Sequence, residues 1–282
     1  MSLLFSKVDA AHEMMKFFYK CIPSVNNDFH RLKSYIYCLF LRFSTAMFLK
    51  ISTIVLIPAL LIQGYAVKKN TRRLPEPDGN RQGTIGAGNP LSILILGDSA
   101  AAGVGVQIQE DALLGSILKQ LKNQYEVRYM LEATTGYSSA QIIETAQNMS
   151  HQHFDVVITS VGVNDITKLT QPKNWIKKQQ QLYSEINQKF TPHIIIASGV
   201  PPMNLFPALP NPLAWLFGQY AKGMNQALGQ FVQKQKNMQW IEYDLVRFKT
   251  LNLEMAADGF HPSKEIYALW AEQVAEKIRK IF

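Results

Sequence analysis

A hydroxyl, an imidazole and a carboxylate stand in positions where they could act together. The hydroxyl is Ser99 in "SILILGDSAAAGVGV" (92–106), where an apolar, β-leaning run leads straight into Gly97, Asp98 and Ser99, and small residues follow. A serine placed there can close a tight turn, belong to a phosphate-cradling loop, or serve as a nucleophile. The phosphate reading needs G-x-x-x-x-G-K-[ST] or G-x-G-x-x-G directly after the strand. Here there is no lysine, and Asp98 puts negative charge where a phosphate would sit. The elbow G-x-S-x-G is also missing, because Ala101 holds its final glycine position.

A nucleophilic serine requires a base, an orienting carboxylate and donors for the developing oxyanion. Near the C-terminus "AADGFHPS" supplies Asp258 and His261, three apart on one loop. That spacing lets the carboxylate reach Nδ1 while Nε2 faces outward. Gly136 in "TTGY" could present an unobstructed backbone N–H, and "VGVND" adds Gly162 and the side-chain amide of Asn164.

These residues need elements to hold them. Apolar runs of the buried-strand kind occur at 91–97, 154–162 and 193–200, with further strands expected at 125–133 and 238–245. Helical spacing occupies 111–124, 138–149, 174–189, 213–236 and 263–281 between them. Strand–helix alternation of this kind builds a parallel sheet with helices on both faces. Such sheets hold ligands outside the carboxyl ends of their strands. Ser99, Gly136 and Asn164 each follow a strand, and Asp258 and His261 lie in the last loop.

Four blocks in order carry a resemblance: Gly97-Asp98-Ser99, Gly136, Gly162-Val163-Asn164-Asp165, and Asp258-Gly259-Phe260-His261. With these the main domain resembles the SGNH, or GDSL-type, hydrolases across nearly its whole length. The resemblance implies an α/β fold, a three-layer α/β/α flavodoxin-like parallel sheet, and hydrolysis of esters or thioesters. It implies Ser99 as nucleophile, His261 as base and Asp258 as its orienter. It implies an oxyanion hole made of the Ser99 and Gly136 N–H groups and the Asn164 side chain, with no metal and no organic cofactor. Many members follow Gly-Asp-Ser with leucine, where this chain has Ala100.

Charge and hydropathy separate an N-terminal quarter from this domain. Residues 1–80 hold 11 Lys and Arg against 5 Asp and Glu, while the remainder holds 18 against 16. The basic excess is therefore no nucleic-acid-binding stripe on the main domain, and basic flanks around an apolar run suit a membrane surface. "ISTIVLIPALLIQGYAV" (51–67) is uncharged, with Lys50 before it and Lys68, Lys69, Arg72 and Arg73 after. It is expected to span or anchor to a membrane; the other reading is a buried or surface-docked helix. Positive charge on both sides gives no orientation, and Met47 offers a second possible start just before the run. The expected layout is an N-terminal extension (1–50), the anchor (51–67), a linker rich in Pro, Gly and charge (68–90), and the hydrolase domain (91–282). Both cysteines, Cys21 and Cys38, precede the anchor, so the domain has no thiol nucleophile and no cysteine metal ligand.

The remaining residues have plainer expectations. Asp98 and Asp165 hold loop backbone. His151 and His153 read as a solvated helix end with no third metal ligand in reach, and His193 opens a strand without an evident partner. His12 and His30 lie in the N-terminal region. "PPMNLFPALPNPLAWLFG" (201–218) follows a strand on the active-site side, and its Phe206, Leu209 and Trp215 either line an acyl pocket or cap the core. The substrate expected is a lipid, lysophospholipid or acyl-thioester. Two alternatives are an esterase acting on O-acetylated glycans and a non-catalytic binding module on the same fold.

Overall fold

A computed structural model describes residues 28–243 and 245–282. Most of the expected N-terminal extension, with His12 and Cys21, therefore lies outside the described residues. The chain divides into two units, residues 1–54 and 55–282.

Helix α1 (Asp28–Asn70) is followed by β1 (Gln82–Ile85), β2 (Asn89–Gly97), α2 (Ser99–Ala102), α3 (Leu113–Leu121), β3 (Tyr125–Ala133) and α4 (Ser139–Asn148). Then come β4 (Val156–Ser160), α5 (Val163–Thr167), α6 (Pro172–Phe190), β5 (Ile194–Ser198), α7 (Leu213–Val232), β6 (Met238–Ile241), α8 (Leu245–Thr250) and α9 (Lys264–Arg279). The sheet order is β1-β3-β2-β4-β5-β6, parallel throughout except for β1, which runs antiparallel along β3. Without β1 this is the doubly wound order 2-1-3-4-5 of flavodoxin-like sheets. The chain reverses direction of winding at β2, so a crevice opens at the carboxyl end of that strand, directly before Ser99.

The central strands β2, β4 and β5 are buried on both faces because each has a helical layer on either side. Leu91, Ile93 and Ile95 of β2, Val156 and Ile158 of β4, and Ile194 and Ile196 of β5 share one core with α3 and α9. Side chains in between point the other way, where Thr159 meets the Tyr183 hydroxyl of α6 at 3.4 Å. On that second side α6 packs with α4 and α7.

Of residues 68–90, expected as a linker, 68–70 end α1 and 76–90 are built into the domain. β1 adds a polar edge strand, and the residues before it grip the β3–α4 turn. Glu76 accepts from the Thr135 N–H (2.8 Å) and hydroxyl (2.6 Å), and pairs with Arg81, which donates to the Ala133 carbonyl at 2.9 Å. Burial raises the Glu76 carboxyl, but these donors outweigh it and hold the group below the usual carboxylate range.

In α1, the stretch Leu49–Asn70 is long and apolar enough to cross a membrane. Ile54, Val55, Leu61, Ile62 and Tyr65 are exposed there. Gln63, on the same stretch, is half-buried and reaches the loop before α7. Its amide donates to the Asn211 carbonyl at 2.7 Å and accepts from the Leu213 N–H at 3.1 Å.

Candidate active site

β2 ends on a residue that can carry no side chain. A Cβ on Gly97 would meet the Ala101 Cβ at 2.5 Å and collide with the Ser160 carbonyl of β4. Asp98 then caps the short α2, its carboxylate accepting from the Ala100 N–H at 3.2 Å. Ser99 is thereby set at the first turn, at the mouth of the crevice. Gly105, at φ +118°, lets the loop pass the carbonyl of Pro262, the residue after His261. The small residues after Ser99 thus serve chain packing: they let the serine loop and the histidine loop touch.

The histidine loop is equally constrained. Ala256 N–H donates to the His261 carbonyl at 2.9 Å and Gly259 N–H to the Ala256 carbonyl at 2.8 Å. Inside this turn Asp258 Oδ1 accepts from the backbone N–H groups of Phe260 and His261, both at 2.9 Å. Its Oδ2 lies 2.6 Å from His261 Nδ1, and His261 Nε2 lies 2.9 Å from Ser99 Oγ. Burial raises the Asp258 carboxyl, but the His261 ring, the two backbone donors and the imidazole charge together hold it below the usual range. Asp258 is therefore an ionised acceptor at neutral pH. A hydroxyl bonded to an imidazole whose other nitrogen is bonded to a buried carboxylate can lose its proton as it attacks.

The other expected residues come to neighbouring strand ends. Gly136 lies in the turn after β3, at φ +85°, with nothing within 4 Å of where its Cβ would be. Asn164 lies in the first turn of α5, after β4, and its Nδ2 donates to the Tyr137 carbonyl at 2.9 Å. That bond ties the Gly136 turn to α5. β3 and β4 flank β2, with Ala133 and Ser160 both in register with Gly97. Ser99, Gly136 and Asn164 thus follow three adjacent strands.

Asp98 and Asp165 do hold backbone. Asp165 is fully buried and accepts from the Ser139 N–H (2.8 Å) and hydroxyl (2.7 Å), fixing the start of α4. Asp98 has no such ring of donors. Burial pushes its carboxyl up to about 7, only partly offset by the Ala100 N–H and the His261 charge, and Asp165 raises it further.

A largely apolar cleft opens beside Ser99 and His261, walled by Val161, Val200, Leu205, Phe206, Phe248 and Leu269. Of the three residues read as either lining such a cleft or capping the core, Phe206 stands at its wall, with its ring against Phe260 at 5.1 Å. Leu209 and Trp215 do not. After the 3-10 turn at 203–205 the chain folds back, with Leu209 N–H bonded to the Phe206 carbonyl, so Leu209 is buried away from the cleft. Trp215 is half-buried on the first turn of α7. The sequence reading missed Phe248 on α8 and Leu269 on α9, whose apolar spacing is that of any core-facing helix.

The histidines also differ from expectation. His151 and His153 lie beyond α4 on the approach to β4. His193 has partners after all: its Nδ1 lies 3.2 Å from Asp155 Oδ1, and His153 Nε2 lies 3.2 Å from the same oxygen.

The sequence matches the GDSL-like lipase/acylhydrolase family over residues 95–269, and the chain belongs to that family. It is an ester-hydrolysing serine hydrolase by that membership. No curated protein matches it. Among solved structures, a member of the lipolytic G-D-S-L family from Veillonella parvula is 15% identical, with a TM-score of 0.52 over 68% of this chain and 98% of that one. A lipase from a goat rumen metagenome is 17% identical, with a TM-score of 0.50 over 66% of this chain and 96% of that one. The structure named TesA is 18% identical, with a TM-score of 0.51 over 68% and 99%. At these identities the likeness concerns the fold.

Proposed function

We propose that this chain is a membrane-anchored esterase that cleaves esters of long acyl chains through an acyl-enzyme on Ser99. The observation that carries the reading is the bonded series Ser99–His261–Asp258 at the mouth of an apolar cleft. Ser99 Oγ attacks the ester carbonyl carbon as its proton passes to His261 Nε2. Asp258 Oδ2 accepts the Nδ1–H and stabilises the imidazolium. The carbonyl oxygen, now negative, is met by the N–H groups of Ser99 and Gly136 and by the second N–H of the Asn164 amide. Collapse of this intermediate breaks the ester C–O bond, and the leaving alkoxide takes the proton from Nε2. Water then attacks the acyl group, with His261 as base, and frees Ser99.

Two features support a lipid ester over a small one. The cleft walls are apolar, and each buried methylene contributes about 0.8 kcal/mol. Gln63 links the apolar stretch of α1 to the loop that carries Phe206. A substrate held in a bilayer would then meet a loop tethered to the anchor.

The test is hydrolysis of p-nitrophenyl esters from acetate to palmitate by the full chain in detergent. The reading expects kcat/KM to rise with chain length. An optimum at acetate would replace it with an O-acetyl esterase, and no hydrolysis of any ester would favour a binding module.

A further inference from the structure

At the opposite end of the sheet from Ser99, the approaches to two neighbouring strands bring a second set of reactive side chains together. His153 and Asp155 are two apart on the extended approach to β4, so both point to the same side. Asp155 and His193 immediately precede β4 and β5, which pair in register from Val156 and Ile194, and the Ile194 N–H bonds the Asp155 carbonyl at 3.1 Å. His153 Nε2 and His193 Nδ1 each lie 3.2 Å from Asp155 Oδ1, and all three ligand atoms are within 4.8 Å of one another.

We propose that His153, Asp155 and His193 form a binding site for a divalent transition-metal ion, and specifically for zinc. Two imidazoles and a carboxylate with an open position are a zinc ligand set. A tetrahedral zinc with bonds of about 2.0–2.1 Å separates its ligand atoms by about 3.3 Å. The two nitrogen–oxygen distances already have that value, so small ring rotations complete the site. Water takes the fourth position.

The surroundings orient these ligands as outer partners do in metal sites. The second oxygen of Asp155 is held by the Ser92 N–H at 2.7 Å and hydroxyl at 2.6 Å, at the start of β2. The second nitrogen of His153, Nδ1, lies 3.3 Å from the Thr191 hydroxyl. With zinc on Nε2, the ring proton sits on Nδ1 and donates to Thr191. His193 binds through Nδ1 and keeps its proton on Nε2. Each imidazole that was protonated on its ligating nitrogen moves that proton to the other ring nitrogen, so the uptake of Zn2+ by two neutral rings and one carboxylate balances without any redox change.

The site is remote from the hydrolytic centre. Ser92 and Ser99 are separated by the length of β2, about 20 Å, so the ion takes no part in ester cleavage. It would clip the starts of β4 and β5 together, stabilising the folded chain by an amount that grows with the logarithm of free zinc above its Kd.

The test is equilibrium dialysis of the full chain, purified in detergent without a polyhistidine tag and stripped with a chelator, against Zn2+ alone. The expected result is one zinc per chain, with an accompanying rise in melting temperature. His153→Ala and His193→Ala should each weaken binding by about 100-fold or more, beyond the 10–100-fold loss typical of outer partners. His151→Ala should bind as the unaltered chain does. His153 and His193 are both exposed, so melting without zinc checks that each variant folds. No bound zinc in the unaltered chain, or binding that survives loss of both His153 and His193, overturns the proposal.

Discussion

The chain carries a histidine–aspartate pair at each end of its sheet, and the two differ in how the carboxylate is used. At the carboxyl end Asp258 serves a single imidazole. Its side chain is 1% exposed and that of His261 17%, and backbone N–H groups occupy its other oxygen. At the amino end one oxygen of Asp155 faces two imidazoles, and His153 and His193 are 49% and 62% exposed. A buried carboxylate committed to one ring fixes that ring's direction and leaves Nε2 for a hydroxyl. A shared, half-open carboxylate leaves two nitrogens converging on one point. Residue types alone do not distinguish proton transfer from ligation; burial and the count of partners do.

Substitutions at the carboxyl end should give the largest effects. Ser99→Ala or His261→Ala should lower kcat by about 10⁴-fold or more, the two together costing little beyond either alone. Fully additive losses would break the picture of one coupled unit. Asp258→Asn should lower kcat by about 10³–10⁴-fold with KM nearly unchanged, since it orients the base and does not bind substrate. Asn164→Ala should lower kcat by about 10²–10³-fold, the usual loss for one oxyanion donor. An unchanged kcat would remove Asn164 from the site.

Phe206→Ala should act on specificity. The ratio of kcat/KM for palmitate over acetate should fall by about 10-fold, within the range that hydrophobic contacts supply. An unaltered ratio would assign Phe206 to packing against Phe260.

The last prediction concerns stability, and Asp98. The folded chain holds its carboxyl near 7, while the unfolded chain releases that proton near the ordinary aspartate value of 3.8. The folded state therefore binds more protons between those values, and stability falls as pH rises through them. Asp98→Asn cannot ionise, yet it retains an oxygen for the Ala100 N–H. Its melting temperature relative to the unaltered chain should increase from pH 4 to pH 7 and level off above. A constant difference across that range would mean that Asp98 does not titrate there.

Much of this was legible because the central parallel strands are continuous apolar runs and "YEVRYMLEA" alternates as a half-buried strand does. The expectation of 125–133 coincides with β3, and α4, α6 and α9 fall within about two residues of their expected spans. β1 was not legible. "QGTI" is polar and lies among Pro and Gly residues, and only its pairing with β3 makes it a strand. The grouping of Ser99, His261 and Asp258 could be read because a nucleophilic serine needs those residue types, and the fold brings the three into one bonded series. Leu269 and Phe248 could not, since a cleft wall and a core contact have the same hydropathy. His193 was missed for a third reason: its partner Asp155 is 38 residues away, and strand order alone makes them neighbours.

The central claim is that Ser99 is an activated nucleophile, and a fluorophosphonate probe tests it most directly. Phosphonylation requires a serine whose proton is taken as it attacks. Incubation of the full chain followed by peptide mass analysis should find one adduct, on Ser99, absent from Ser99→Ala and strongly slowed in His261→Ala. No adduct, or one that persists at another residue in Ser99→Ala, would contradict the account.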